Sequence, residues 1–477
     1  MSKVQNEVLQ KLYVVNKLLV LVGRVAEELE ELFGKPVSWG IFILLLVSIL
    51  AMVFYTRPLN AASSGIVYIR ADGSINPSTA PISSIDNITY LFTGNISYPT
   101  YNGIVIQRND ISIDGNDFTM KGFNQTGMGL NLTNISNVTI KNTNIENFLV
   151  GIYLSGSNNS LVDNNIMNNT NGIHLYSSSY NTVTKNNITM NSVSGILLEY
   201  SYNNNVISQN MFLDDGLTVW ASRANSIVDN LVNGKPLIYI EGISNYTVNG
   251  DAGQVVLVDC NQTHVENLTI SGTTFGIDLW NTVNSSISGC TIANSVYGIT
   301  LDESSLNTIS GNSITTNHYH GIFLDSSTNN TIVGNDLAAN GQDGIVLMDG
   351  SSFNVVSGNN ITESGDYGVS LSSANNWIYR NNFVNNTHQA CSILIGSTNI
   401  WDIGYEGNYW SDYNGTDANH DGIGDTPYVI DANNTDNYPL MVQYAIPEFP
   451  SSLILTLFMI ATLLPVIVYK KKDMKTS

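Results

Sequence analysis

The sequence predicts an all-β solenoid of about eleven coils, carried between two apolar segments near the chain ends. Three observations predict it. The phrase Gly-Ile-x-Leu recurs at Gly151, Gly172, Gly195, Gly276, Gly298, Gly321 and Gly344, with variants at Gly129, Gly216 and Gly368, mostly 21 to 24 residues apart. Between copies, a second phrase sets Asn164, Asn186, Asn210, Asn230, Asn312, Asn335, Asn359 and Asn381 at one equivalent point of each period. Each period holds two short alternating apolar runs broken by Ser, Asn and Gly, which suits strand and turn and leaves no room for a helix.

Taken in chain order, residues 1–36 carry Val8, Leu12, Val15, Leu19, Val22, Ala26, Leu29 and Phe33 at alternating spacings of four and three. That is a coiled-coil seam for self-association; Leu18, Leu21 and Val25 widen the stripe, which equally fits an amphipathic helix lying on a membrane. Residues 37–55 and 453–469 are each close to the roughly 20 apolar residues that cross a bilayer, and the first reads as an uncleaved anchor. Lys470, Lys471, Lys472 and Lys475 in the tail 470–477 keep the C-terminus cytoplasmic, and two spans return the N-terminus to that side. The region between the spans therefore faces outward, extracellular or periplasmic, tied to the cell membrane. Within it, 56–100 are predicted to cap the solenoid, 101–395 to form its coils, 396–443 to cap the far end, and 444–452 to link to the second span.

If each period makes one circuit, strands stack in parallel at about 4.8 Å, with alternate Ile, Leu and Val filling the interior. The recurrent Asn then sits at an inward turn, where its amide accepts and donates along the stack and satisfies buried backbone groups. The Gly before Ile is expected to allow a tight corner or a positive φ. The frame breaks between Gly216 and Gly276, where two coils plus a loop at 233–250 are expected on an otherwise continuous rod.

Composition excludes some functions. A formal net charge of −21 argues against nucleic acid, whose binding needs Lys and Arg against phosphate. Cys260, Cys290 and Cys391 lie far apart without metal or disulfide spacing. About twenty Asn-x-Ser/Thr triplets, including Asn87, Asn95, Asn131, Asn245, Asn267 and Asn414, suit a glycosylated surface protein.

The rungs spelled Asn-Asn-Thr-Ile-x-Gly-Asn, the Gly-Ile-x-Leu turns and the closing run Gly407-Asn-Tyr-Trp-Ser-Asp-Tyr-Asn414 resemble the NosD-type right-handed parallel β-helix proteins, over roughly Gly65 to Met441. The resemblance implies a right-handed coil and, as one alternative function, a periplasmic copper-binding accessory role in metalloenzyme maturation. Pro447-Glu-Phe-Pro450 followed by an apolar span and lysines is similar to sorting signals of archaeal surface proteins, which implies removal of the tail by a membrane enzyme.

Chemistry concentrates in few places. Asp417-Ala-Asn-His-Asp-Gly-Ile-Gly-Asp425 follows the start of an EF-hand-type loop, with Asp417, Asn419, Asp421, Asp425 and the Ile423 carbonyl as calcium ligands. Tyr428 replaces the bidentate Glu, so weak structural binding is expected, in a cap rich in Trp401, Tyr405, Tyr409, Trp410 and Tyr413. Copper needs clustered imidazole or thiol donors, and only His318 and His320 lie close in sequence. The outward position after each Gly-Ile-x-Leu reads Ser155, Tyr176, Glu199, Trp220, Trp280, Asp302, Asp325, Met348 and Ser372. Tyr176, Trp220 and Trp280 are candidate carbohydrate contacts. Asp302 and Asp325, on adjacent coils about 5 Å apart, are the catalytic candidates under a second alternative, a polysaccharide lyase or hydrolase. The expectation is a non-enzymatic surface module that contacts glycans or other surface proteins.

Overall fold

The computed structural model describes residues 65–98, 102–394 and 396–446. The predicted N-terminal helix, both apolar segments, the 447–450 motif and the lysine tail lie outside the described residues. Among the described residues no helix is long and apolar enough to cross a membrane.

The described chain is an all-β, right-handed solenoid of about 14 turns, more than the eleven expected. Part of the excess comes from segments assigned to a cap or left uncounted. Val67–Ile69 pairs in parallel with Ile104–Ile106, which pairs with Met128–Thr133, so coiling begins before the first Gly-Ile-x-Leu variant. Within the Gly-Ile-x-Leu strands the Ile and Leu point inward; Ile173 and Leu175 pack beneath Ile196 and Leu198 in register. Each fully buried Ile or Leu contributes roughly 1.5–3 kcal/mol of transfer energy.

The glycines of this phrase have a different cause from the one expected. None of them from Gly151 to Gly344 takes a positive φ. A Cβ on Gly151 would stand 2.5 Å from the carbonyl oxygen of Gly172, and one on Gly298 would stand 2.3 Å from that of Gly321. Successive coils approach too closely there for any side chain. The left-handed corners fall instead just before the ladder, at Asp163, Lys185, Gln209 and Asp229, each with φ between 54° and 58°.

The asparagine ladder works by donation in both directions. The main-chain N–H and Nδ2 of Asn164 both donate to Oδ1 of Asn186, at 3.0 Å each, while Nδ2 also donates to the carbonyl of Ile140 in the preceding coil. The same triad repeats through Asn210 and Asn230, and in the second half from Asn312 to Asn381 and Asn408. Parallel ladders through Asn159, Asn181 and Asn205 and through Asn307, Asn330 and Asn354 line another corner. A buried main-chain donor is thereby satisfied at every coil.

The continuous rod with an inserted loop is not what forms. Asn233 and Gly234 both have positive φ, 51° and 78°, and turn Leu231–Val232 back into the antiparallel strand Lys235–Glu241. Asn-Gly is the strongest short hairpin signal because both turn residues need φ > 0. Lys235–Glu241 then pairs in parallel with Gln254–Val258, and that strand with Phe275–Trp280, founding a second stack with its own hydrophobic core.

These founding strands face two cores. Ile238, Ile240, Val255, Leu257, Ile277 and Leu279 join the second core, while Leu237, Tyr239, Val256, Val258 and Trp280 on the opposite face pack into the first. The outer face of the second stack therefore closes the open end of the first. Gln254, fully buried, completes the closure: its Oε1 accepts from the Leu217 N–H at 2.9 Å and its Nε2 donates to the Leu217 carbonyl at 2.7 Å, replacing the peptide group of a further coil. The far end of the second stack is covered by Trp401 and Trp410, both buried in its core, with Trp410 between Phe383 at 4.5 Å and Tyr428 at 4.2 Å. Tyr405 stays outside, 60% exposed.

Candidate functional site

The outward face of the first Gly-Ile-x-Leu sheet carries a strip of rings. Tyr153 stacks near Tyr176 at 6.4 Å, Tyr176 meets Tyr200 edge-on at 6.1 Å, and Tyr200 lies 5.7 Å from Trp220. Tyr176, Tyr200 and Trp220 are 37%, 40% and 47% exposed, far more than rings serving only a core. A groove of about 560 Å³ runs beside them, lined by Tyr176, Ser177, Tyr200, Tyr202 and Asn203. Register sets Tyr176, Glu199 and Trp220 at one position of three successive strands, while Tyr153 pairs with His174 and Tyr200 directly follows Glu199.

Within the strip, His174 Nε2 contacts Glu199 Oε2 at 2.8 Å, and the imidazole lies edge-on to Tyr153 at 5.3 Å. Burial lowers the His174 pKa while Glu199 pulls the other way. Tyr153 and His174 occupy the x of Gly-Ile-x-Leu, a second outward position that attention to the residue after Leu passes over.

Of the three predicted sugar contacts, the structure joins Tyr176 and Trp220 and removes Trp280. Trp280 is 3% exposed because it faces the first core at the junction, with the Arg223 guanidinium 5.1 Å over its ring. It is a plug between stacks and presents no sugar-stacking surface.

Asp302 and Asp325 are register partners on neighbouring strands. Burial first, and then the Asp325 charge, push Asp302 up to about 6. One coil away, Asp278 accepts a hydrogen bond from the Thr300 hydroxyl, and burial pushes it up to about 7. Asp278, another x residue, was not singled out by the sequence.

In the calcium-type loop the carboxylates accept from the loop's own backbone. Asp417 accepts from the N–H of Asp421 at 3.2 Å and Gly422 at 2.9 Å, Asp421 from Ile423 at 2.9 Å, and Asp425 from Ala418 at 2.7 Å. Asn419 Nδ2 donates to Asp421. Tyr428 stacks on Trp410 and donates to Asp412, tying the loop to the cap.

Residues 215–415 match the family described as periplasmic copper-binding protein (NosD), and residues 82–232 match the right handed beta helix region. Most of the second stack lies within the stretch that is similar to the NosD family. The two matches overlap at 215–232, where the first stack ends and the hairpin begins. The probable ABC transporter binding protein NosD of Stutzerimonas stutzeri is 44% identical over 54 residues, 11% of this chain and 12% of that protein's length. Among solved structures, the mannuronan C-5 epimerase AlgE6 A-module of Azotobacter vinelandii aligns with TM-score 0.28 and 12% identity, over 64% of this chain and 89% of that one. The Dettilon tailspike protein aligns with TM-score 0.30 and 16% identity, over 65% of this chain and 60% of that one.

Copper, named in the family description, needs convergent imidazole, thiolate or thioether donors. Among the described residues no group of three or more His, Cys, Asp or Glu side chains is placed to hold a metal ion. His174, His264 and His388 contact Glu199, Ser286 and Asp366 separately, while burial pushes the Cys290 thiol up to about 11 and away from thiolate chemistry. The described residues do not fit a copper centre.

Proposed function

We propose that this protein is an exported, membrane-tethered β-helix that presents its aromatic strip to neutral polysaccharide at the cell surface. The observation that carries the reading is the strip of Tyr153, Tyr176, Tyr200 and Trp220, in ring contact along the solenoid axis, with Tyr176, Tyr200 and Trp220 exposed. Aromatic rings offer an apolar face to the C–H face of a pyranose, and Ser177, Tyr202 and Asn203 in the adjoining groove offer hydrogen bonds to its hydroxyls. A solenoid holds the rings in place before binding, so little side-chain freedom is lost on contact. A net charge of −21 favours neutral over uronate-rich chains.

The same proposal includes tethering through 37–55 and 453–469, self-association through 1–36, and a weakly held structural calcium at Asp417, Asn419, Asp421, Asp425 and the Ile423 carbonyl. It assigns no catalytic role to Asp302 and Asp325. Affinity electrophoresis through gels containing a soluble glucan, mannan or galactan tests it. Retardation by one of these polymers, abolished in Tyr176→Ala/Trp220→Ala, is expected; equal retardation of the double variant would remove the strip from the account.

A further inference from the structure

No ladder asparagine begins an Asn-x-Ser/Thr triplet, and the coil explains why. Two places after Asn164, Asn186, Asn312 or Asn335 comes the inward Ile or Leu of the next strand, where a hydroxyl would be buried. The triplets fall instead on the residue before a ladder. At Asn158, Asn168, Asn329 and Asn385 the first residue is an exposed left-handed corner with φ between 53° and 58°, the second a buried asparagine, and the third a Ser or Thr that is not buried. Asn267, with φ 56°, repeats the arrangement ahead of buried Leu268 and exposed Thr269.

An enzyme that modifies a folded surface must reach the amide nitrogen and the hydroxyl two residues on together, and these corners present both. The side-chain amides of Asn158, Asn168, Asn267 and Asn385 have no hydrogen-bond partner among the described residues, and Asn329 Nδ2 donates only to the Thr328 hydroxyl at 3.1 Å. Two other corner triplets differ: Asn137 commits its Nδ2 to Asp110 at 2.6 Å, and Asn284 to Asn261 at 3.0 Å. Space along the axis matters too, because neighbouring coils lie about 4.8 Å apart and two adjacent sugar chains would collide. The corners next to these acceptors hold Tyr180, Met190, Leu306, Phe353 and Glu363, none of which can carry an N-linked sugar.

The acceptors are also segregated by face. The Gly-Ile-x-Leu strands, from Val150–Ser155 to Tyr367–Leu371, contain no triplet at all. We infer that Asn158, Asn168, Asn267, Asn329 and Asn385 are N-glycosylation sites, whose sugar chains coat the corners of the solenoid and leave the face with the aromatic strip bare. The inference rests on the outward placement proposed above. In the transfer, Nδ2 displaces the phosphate of a lipid-linked oligosaccharide from C1 of its first sugar. The C1–N bond forms, the C1–O bond to phosphate breaks, the amide gives up one proton, and the lipid phosphate leaves.

The test is glycopeptide mass spectrometry on the full-length protein purified from the membranes of the cells that encode it. Sugar mass is expected on the peptides holding the five corner asparagines and on none that holds only ladder asparagines. Asn329→Gln should remove one sugar chain. Adding Leu306→Asn should restore one a coil earlier, because that corner has φ 62°, is 54% exposed and precedes Asn307 and Thr308. Five unmodified peptides, sugar on a ladder asparagine, or no gain with Leu306→Asn each overturn the inference. Protease treatment of intact cells separates the two possible failures. Protein that is cleaved from outside yet carries no sugar overturns this inference alone, whereas protein that is fully protected overturns the outward placement and the inference with it.

Discussion

Replacing Asn359 with alanine isolates what one rung of the ladder contributes. Its Oδ1 accepts from the N–H and the Nδ2 of Asn335, each at 2.9 Å, and its Nδ2 donates to the carbonyls of Ile332 at 2.9 Å and Ser357 at 3.2 Å. Asn335 Nδ2 keeps the Ile309 carbonyl as a partner, so the groups that lose most are the Asn335 N–H and the Ile332 carbonyl. At roughly 1–3 kcal/mol for each buried polar group stranded, the loss centres on about 4 kcal/mol. That corresponds to roughly a thousandfold in local hydrogen-exchange protection. Because stacked coils contact mainly their neighbours, the loss should concentrate in the coils holding Asn335, Asn359 and Asn381 and fade with distance. Asn359→Asp should cost at least as much, since it turns a donor toward two carbonyls into an acceptor. Native carboxylates stand where ladders end: Asp215 accepts from Asn191, and Asp436 from Asn408 and Trp410. Hydrogen-exchange mass spectrometry with urea unfolding reads both effects. A loss below about 1 kcal/mol, or one spread evenly over both stacks, would refute the reasoning.

Two further outcomes follow from the same geometry. Burial raises Asp278 to about 7, so the folded state holds a proton that the unfolded chain has lost between about pH 4 and 7, and stability falls as pH rises through that window. Asp278→Asn should therefore unfold at a higher temperature than wild type at pH 8, with the advantage gone by pH 4; a variant less stable at pH 8 contradicts this. In elemental analysis after equilibration with calcium and copper together, one calcium per chain should be retained and lost in Asp417→Ala/Asp421→Ala, with a fall in the unfolding temperature of the wild-type protein on chelation. Copper retained at one per chain would show that the donors gather in a way the described residues do not.

The coil was legible because its two causes are local and periodic: inward Ile and Leu at alternate positions, and an Asn whose amide must answer backbone groups at every turn. The role of Gly151 or Gly298 was not, because the atom that excludes a side chain belongs to the next coil, some 22 residues on. The break at Asn233-Gly234 is present in the sequence as a hairpin signal, but the repeat that resumes after it makes 233–250 look like a loop inserted in one rod. Trp280 shows the cost. Its spacing matches Trp220, and only the turn of the second stack onto the first makes one ring a surface and the other a plug. Tyr153, His174 and Asp278 are not marked by the residue after Gly-Ile-x-Leu because they occupy the x position, a second site on the same outer face of each strand.

The most direct test compares two tryptophans of equal exposure. Trp220 in the strip and Trp377 on a different sheet are both 47% exposed. Affinity electrophoresis in neutral polysaccharide should show retardation lost in Trp220→Ala and intact in Trp377→Ala. Equal behaviour of the two variants, whether both retained or both lost, would contradict a binding surface built on the aromatic strip.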